Sequence, residues 1–362
     1  MSAGSFPPQS RLRSAITSVK KGLFSSWLDT AITFVLALGL IASVWRLARW
    51  AIIDAVGFSG SADQCRAATG ACWAAVGNNL YLFLYGIYPS GDRWRAGAAL
   101  AIIIVTFFLL FLRRLRRLPI VAGLYVVSSA LVLLLLLGCA PFGLRPVDAD
   151  SIGGLMLTLF IAWITLPLAL PLGLLLALAR QSTLPAIRVA ATVCIEFIRG
   201  LPLIVVLFAA AVLLPLFIDG EVSMTKVFRV LLCVCLFAAA FLAEVIRGGL
   251  QAVPKEQFEA AKALGLGYWR THSLIVLPQI APIVARPVAG MMIALFKSTS
   301  LVSVIGLFEI TGITTIVITK PEWAPFSEET CVAIGLVYIL FCVAISALAT
   351  KLERQFSIIR KK

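Results

Sequence analysis

Long apolar runs alternate with short polar, mostly basic segments along the chain. The apolar runs lie at about 28–50, 96–112, 119–139, 153–179, 200–218, 227–246, 282–305 and 330–350. A helix needs about 20 apolar residues to cross the hydrocarbon core of a bilayer. The pattern therefore predicts an all-α integral membrane protein with about eight transmembrane helices. One stretch, Pro254 to Pro278, is a polar island between two such runs. Pro254 suits a first helical position, where a missing N–H is harmless. Glu256 and Glu259 fall in the first turns, where the helix dipole favours negative charge. Ala260, Ala261, Ala263 and Leu264 are strong helix formers, and Gly265 suits the left-handed residue that ends a helix. A second short helix is expected over about 268–276, stopped by Pro278. The alanines leave one face nearly bare, open to close approach by a partner's backbone. On pattern alone the island reads either as that docking surface or as a plain loop between membrane helices.

Composition agrees with the membrane reading. The chain is 61% hydrophobic and 13% charged, where a soluble domain carries about a quarter charged residues. Its 31 Lys and Arg against 17 Asp and Glu give a net charge of +14. The bases sit in clusters between apolar runs, which is the signature of cytoplasmic loops and not of nucleic-acid binding. The clusters are the N-terminal tail, Arg113 to Arg117, Arg180 with Arg188 and Arg199, the island itself, and the end from Lys351 to Lys362. All fall on one side if both termini are cytoplasmic. Asp148, Asp150, Asp219, Glu221, Glu322, Glu328 and Glu329 then lie outside. Arg46 and Arg49 dissent and are expected to snorkel beside Trp45 and Trp50. Residues 1–27 form a polar, basic tail with no cleavage site following the first apolar run.

The outer segment 51–95 holds Cys65 and Cys72, either a disulfide in an oxidising compartment or two free thiols. Its Tyr81 to Tyr88 portion is aromatic and expected along the membrane surface. Cys139, Cys194, Cys233, Cys235, Cys331 and Cys342 are expected to pack as small hydrophobes. No Cys/His cluster has metal-binding spacing. The sole histidine, His272, reads as structural, so neither a metal site nor a catalytic site is expected.

Other polar features sit near the runs. Leu170-Pro-Leu-Gly173 is expected to kink its helix with support from neighbours. Residues 184–199 form an amphipathic segment. Glu196-Phe-Ile-Arg199-Gly200 recurs as Glu244-Val-Ile-Arg247-Gly248. Each Glu and Arg, three apart, share a helix face and can pair, as two latches or as a chance match. Lys297 stands inside an apolar run, where a charge usually faces a cavity or a partner. It either points into a cavity, pairs with Glu309, or snorkels outward.

Glu259-Ala260-Ala261, Gly265 after three residues, and Ile275-x-Leu277-Pro278 after nine more resemble the EAA loop of type I ABC-importer permeases. Glu196-Phe-Ile-Arg199-Gly200-Leu-Pro202-Leu and Leu295-Phe-Lys297-Ser-Thr-Ser-Leu301 resemble segments of the polar amino-acid subfamily, although Ser298 stands where an acid is common there. The likeness runs from about Gly153 to Ala349. Three extra N-terminal spans make the chain most similar to the general L-amino acid permeases of Gram-negative bacteria. The resemblance implies that the last five helices form a type I permease core with a cytoplasmic coupling helix. It implies docking of an ATPase through Glu259, Ala260, Ala261, Gly265, Ile275, Leu277 and Pro278. It also implies a path or gate near Lys297, Ser298, Thr299 and Glu309.

The implied partners are a dimer of ATPase subunits, a second and related permease chain, a periplasmic amino-acid-binding protein and the lipid of the bacterial inner membrane. ATP and Mg would be bound by the ATPase, since this chain has no G-x-x-x-x-G-K-[ST] loop. The expected parts are the tail 1–27, an accessory module 28–140, a permease domain 151–350 and a tail 351–362. An ion-coupled secondary amino-acid transporter is the alternative. It would show inverted repeats and buried midplane carboxylates, whereas the acids here lie mostly at span ends.

Overall fold

A computed structural model describes residues 22–110, 118–217 and 224–359. The predicted tail up to residue 21, the Arg113–Arg117 cluster, Asp219, Glu221 and residues 360–362 lie outside the described residues. The chain divides into two compact units, one ending at Asn78 and one beginning at Asn79.

The first unit is led by α1 (Trp27–Ala48), which Ser26 caps by accepting the amide of Asp29. None of its side chains is buried, as suits a helix apolar on all sides. A π turn at Arg49–Ile53 follows. Arg49 pairs with Asp54 at 2.9 Å, so its charge is met by a neighbour as well as by the interface. Beyond it lies a small knot. Cys65 in α2 (Ala62–Ala67) is joined to Cys72 by a disulfide with a Cα–Cα distance of 5.4 Å, which decides between the two readings of this pair. Both cysteines are buried. Trp73 donates its indole N–H to the Ala51 carbonyl at 2.7 Å.

The second unit begins with α3 (Leu80–Tyr85) and continues through α4 (Arg93–Leu109) and α5 (Leu118–Leu137). The aromatic stretch around α3 does not lie wholly on a surface, because Phe83 and Tyr88 are buried. Gly86 (φ +62°) crosses the backbone of Gly153 so closely that a Cβ would sit 2.5 Å from its Cα, and only glycine fits there. Arg95 of α4 is fully buried. Its Nε donates to the Leu135 carbonyl at 2.7 Å and its Nη1 to that of Arg145 at 2.9 Å. Tyr88 donates to Leu136 O at 2.7 Å, and burial raises its phenol above the ordinary range, keeping it a donor. Together they cap the end of α5, whose last carbonyls have no intrahelical partners. Two of the three helices expected in an accessory module, α4 and α5, fall in the second compact unit, and the other, α1, falls in the first.

The central pair is α6 (Gly154–Arg180) and α9 (Lys226–Gln251). Helix α6 runs without interruption through Pro167 and Pro171. Beside them Gly173 lets the helices nearly touch, with a virtual Cβ 2.9 Å from Ala239 O. Between the pair come α7 (Pro185–Gly200) and α8 (Leu203–Phe208). The first, amphipathic piece meets the following 203–217 helix at 101°. Asp150 accepts the amides of Lys226 and Val227 at 3.2 and 2.9 Å, capping α9 from outside its own segment. The island forms α10 (Lys255–Ala263) and α11 (Tyr268–Thr271). Then come α12 (Leu277–Ser298), α13 (Ile310–Ile318) and α14 (Ser327–Ile359).

Helices occupy all eight predicted runs. By length and hydropathy, however, five are fit to cross a membrane, or six if the bent pair is one span, among the described residues. The helix at 93–109 has 17 residues and falls short of that length. Of the unpaired cysteines, Cys235 is buried while Cys194 and Cys331 are exposed, so not all pack as core.

Candidate functional site

The island projects from one end of the helical bundle. Its base is a cluster of buried Leu178, Ile195, Ile246, Leu250, Val276 and Ile280, contributed by α6, α7, α9, the turn after α11, and α12. Helix α10 begins at Lys255, one residue after Pro254. Gly265 takes φ +68°. Its N–H bonds to Lys262 O and that of Leu266 to Ala261 O, each at 3.0 Å. This is the two-bond left-handed cap that glycine favours, as predicted.

Ala261 is buried, whereas Glu259, Ala260 and Gly265 are exposed. Leu264, Trp269 and Leu274 stand 77%, 66% and 66% exposed around them. That is a large apolar area on a polar loop, and such patches mark interaction surfaces. Beneath it His272 is buried and its Nδ1–H donates to Tyr268 O at 2.9 Å. The ring packs on Tyr268 at 4.1 Å and Phe258 at 6.0 Å between centroids, a structural role. A cleft of about 260 Å³ opens beside it, lined by Gln181, Lys262 and Thr271 as well as these rings.

Pro278 does not stop the second helix. After α11 the chain passes through a π turn, His272–Val276, straight into α12, with Pro278 in the first turn of that helix. Ile275 and Leu277 are half-buried at this junction and Pro278 is exposed.

The two Glu–Arg repeats are one network, not two latches. Arg180, at the end of α6, holds Glu196 of α7 at 2.8 Å and Glu244 of α9 at 3.1 Å. Arg199 lies 3.7 Å from Glu196 and 3.6 Å from Glu244. Arg247 pairs bidentately with Glu244. Three arginines from three helices thus converge on Glu244, next to the base of the island. Spacing within each repeat showed the i,i+3 pairs, but nothing local marked Arg180 as the bridge.

At the opposite end Lys297 is exposed, Ser298 donates to Ala294 O at 2.8 Å, and Thr299 is buried and donates to Phe296 O at 2.7 Å. Of the three readings of Lys297, the pair with Glu309 is not formed. Glu309 is completely buried and caps α13, accepting the Gly312 amide at 2.9 Å. Its other oxygen takes the hydroxyls of Tyr338 and Thr158 at 3.0 and 3.2 Å. A carboxylate that caps a helix start and accepts two hydroxyls fastens α6, α13 and α14 together.

Residues 169–358 match the family described as the binding-protein-dependent transport system inner membrane component. The chain is 40% identical to the inner membrane amino-acid ABC transporter permease protein YhdY of Escherichia coli K12, covering 95% of this chain and 93% of that one. It is 35% identical to the glutamate/glutamine/aspartate/asparagine transport system permease protein BztC of Rhodobacter capsulatus, over 94% and 93%. A solved amino acid ABC transporter, crystallised with histidines, matches with TM-score 0.50 and 27% identity, over 56% of this chain and 92% of that one.

Proposed function

Because this chain belongs to the family of binding-protein-dependent transport system inner membrane components, we propose that it is the permease subunit of an ABC importer for amino acids, driven by a separate ATPase that docks on the 254–278 island. The island carries the reading: a capped helix with an exposed Glu259-Ala260 edge, ringed by exposed Leu264, Trp269 and Leu274, and rooted in the core of the helices it would move. A rigid foot of this kind turns a push at the surface into a displacement of α9 and α12.

The remaining parts follow from that assignment. A periplasmic binding protein delivers the amino acid, and a second, related permease chain completes the path. ATP and Mg are held by the ATPase dimer. Both termini and the island face the cytoplasm of a bacterial cell, and the disulfide-bonded segment faces the periplasm. Two relatives named for amino acids, one of them for glutamate, glutamine, aspartate and asparagine, support a broad L-amino acid range that includes the acidic ones. Lys297, Ser298, Thr299 and Glu309 are the candidates for the path or gate, Glu309 through its place where α6, α13 and α14 meet.

The test is purification through a tag on this chain, co-expressed with its genomic neighbours. An ATPase should co-elute from the wild type and be lost on Glu259→Lys, with the permease still in the membrane. An ATPase retained by Glu259→Lys would remove the island from the docking surface.

A further inference from the structure

Helix α7 has three different sides. At about 100° per residue, Ala191 and Ile195 share its buried side. Ile195 belongs to the apolar cluster that includes Leu178, near the end of α6, and Leu250, near the end of α9. Arg188, Thr192, Glu196 and Arg199 fall within an adjoining arc of about 80°. Val189, Val193 and Phe197, each four residues from the next, form a row on the remaining side. Ile187, Ala190 and Cys194 flank that row, and all six of these side chains are exposed.

The sides have a direction relative to the bilayer. The apolar 203–217 helix turns 101° away from α7. With that helix running into the bilayer, α7 lies nearly parallel to the membrane plane, at the level where α6 and α9 end. The centres of its polar arc and of its exposed apolar patch are about 150° apart. One therefore faces water and the other acyl chains, the arrangement of helices that lie in a membrane interface. The apolar surface also continues past Gly200, where Val205, Phe208 and Val212 are exposed.

Charge selects the kind of lipid. Arg180, Arg199 and Arg247 share two acids, Glu196 and Glu244. Arg188 is exposed, and among the described residues no carboxylate pairs with it. Positive charge is thus in excess beside the apolar row, which suits an anionic headgroup.

We propose that α7 is an interfacial helix seated in the leaflet on the island's side. Its Val189–Val193–Phe197 row lies among acyl chains, and Arg188 holds the phosphate of an anionic phospholipid. Because Ile195 packs into the root of the island, this lipid contact braces the island from the flank of the bundle. The proposal requires only a chain that crosses a membrane, and stands apart from the importer reading.

The test follows neither transport nor ATPase binding. In the full chain, purified as its native assembly, Cys194 is kept while Cys139, Cys233, Cys235, Cys331 and Cys342 are replaced by alanine. A fluorophore on Cys194 is then observed in vesicles of phosphatidylcholine and phosphatidylglycerol. Lipids brominated high on the acyl chain should quench it strongly and aqueous iodide weakly. Stronger quenching by iodide would put the face in a water-filled cavity. Quenching by neither would put it against another protein chain. Either result would overturn the interfacial helix.

The headgroup is tested by native mass spectrometry of lipid retained on the assembly. Arg188→Gln should retain phosphatidylglycerol about fivefold less well, the scale of one cation near a charged leaflet. Retention of phosphatidylcholine should not change, and Arg188→Lys should keep most of the phosphatidylglycerol. Excess inorganic phosphate should not displace that lipid. Displacement by phosphate, or wild-type retention in Arg188→Gln, would overturn the headgroup site.

Discussion

Gly265 shows how one backbone angle sets a docking surface. Its φ of +68° ends α10, yet a Cβ there would meet nothing within 4 Å. Substitution is therefore opposed by the left-handed backbone itself, which costs an L-residue about 1–2 kcal/mol, and not by crowding. Gly265→Val should loosen the cap and weaken ATPase capture in a pull-down, whereas Gly265→Asn, whose side chain tolerates this region, should retain most of it. Equal loss in both variants would point to contact with the partner and not to conformation. Glu244 makes a related point. Its neighbours Arg247 and Arg199 were visible in a repeated five-residue motif, but Arg180, 64 positions away, was not. A local period reports which side chains share a helix face; it is silent on which other helix end is brought against them.

The helices themselves were legible because lipid imposes a single requirement, a long apolar run, at every position of a span. Their fastenings were not. Arg95 stands at the edge of an apolar run, where sequence offers no reason to bury it. In the fold it supplies the end of α5 with donors that no residue of α5 can supply. Asp150 does the reverse job for the start of α9 from 76 residues away, and Glu309 caps the start of α13. Polar groups near the ends of membrane helices answer the unpaired amides and carbonyls of whichever helix end lies beside them. Arg95→Met should leave the carbonyls of Leu135 and Arg145 without this donor, at about 1–3 kcal/mol each. The variant should melt at lower temperature in detergent while still binding its ATPase. An unchanged melting temperature would mean that water replaces the guanidinium.

At the scale of the whole molecule, the island and the bundle are continuous. Helix α11, the π turn His272–Val276 and α12 form an unbroken rod from the docking surface toward the far end. A π turn holds one residue more than the α turn it replaces. The turn absorbs that extra residue, and the continuity of the rod fixes the angle about its axis between the surface offered to the ATPase and the far end of α12. Deleting Gln279, in the α-helical part of the rod just beyond the turn, should turn one end about 100° against the other. Such a variant should insert and hold its helices, as judged by circular dichroism, yet fail to couple ATP hydrolysis to uptake. A deletion that still couples would show that the rod bends freely at this point. The same reasoning makes the rod just beyond this turn the place where a single inserted or lost residue retimes the machine without altering any side chain that touches ATPase or cargo.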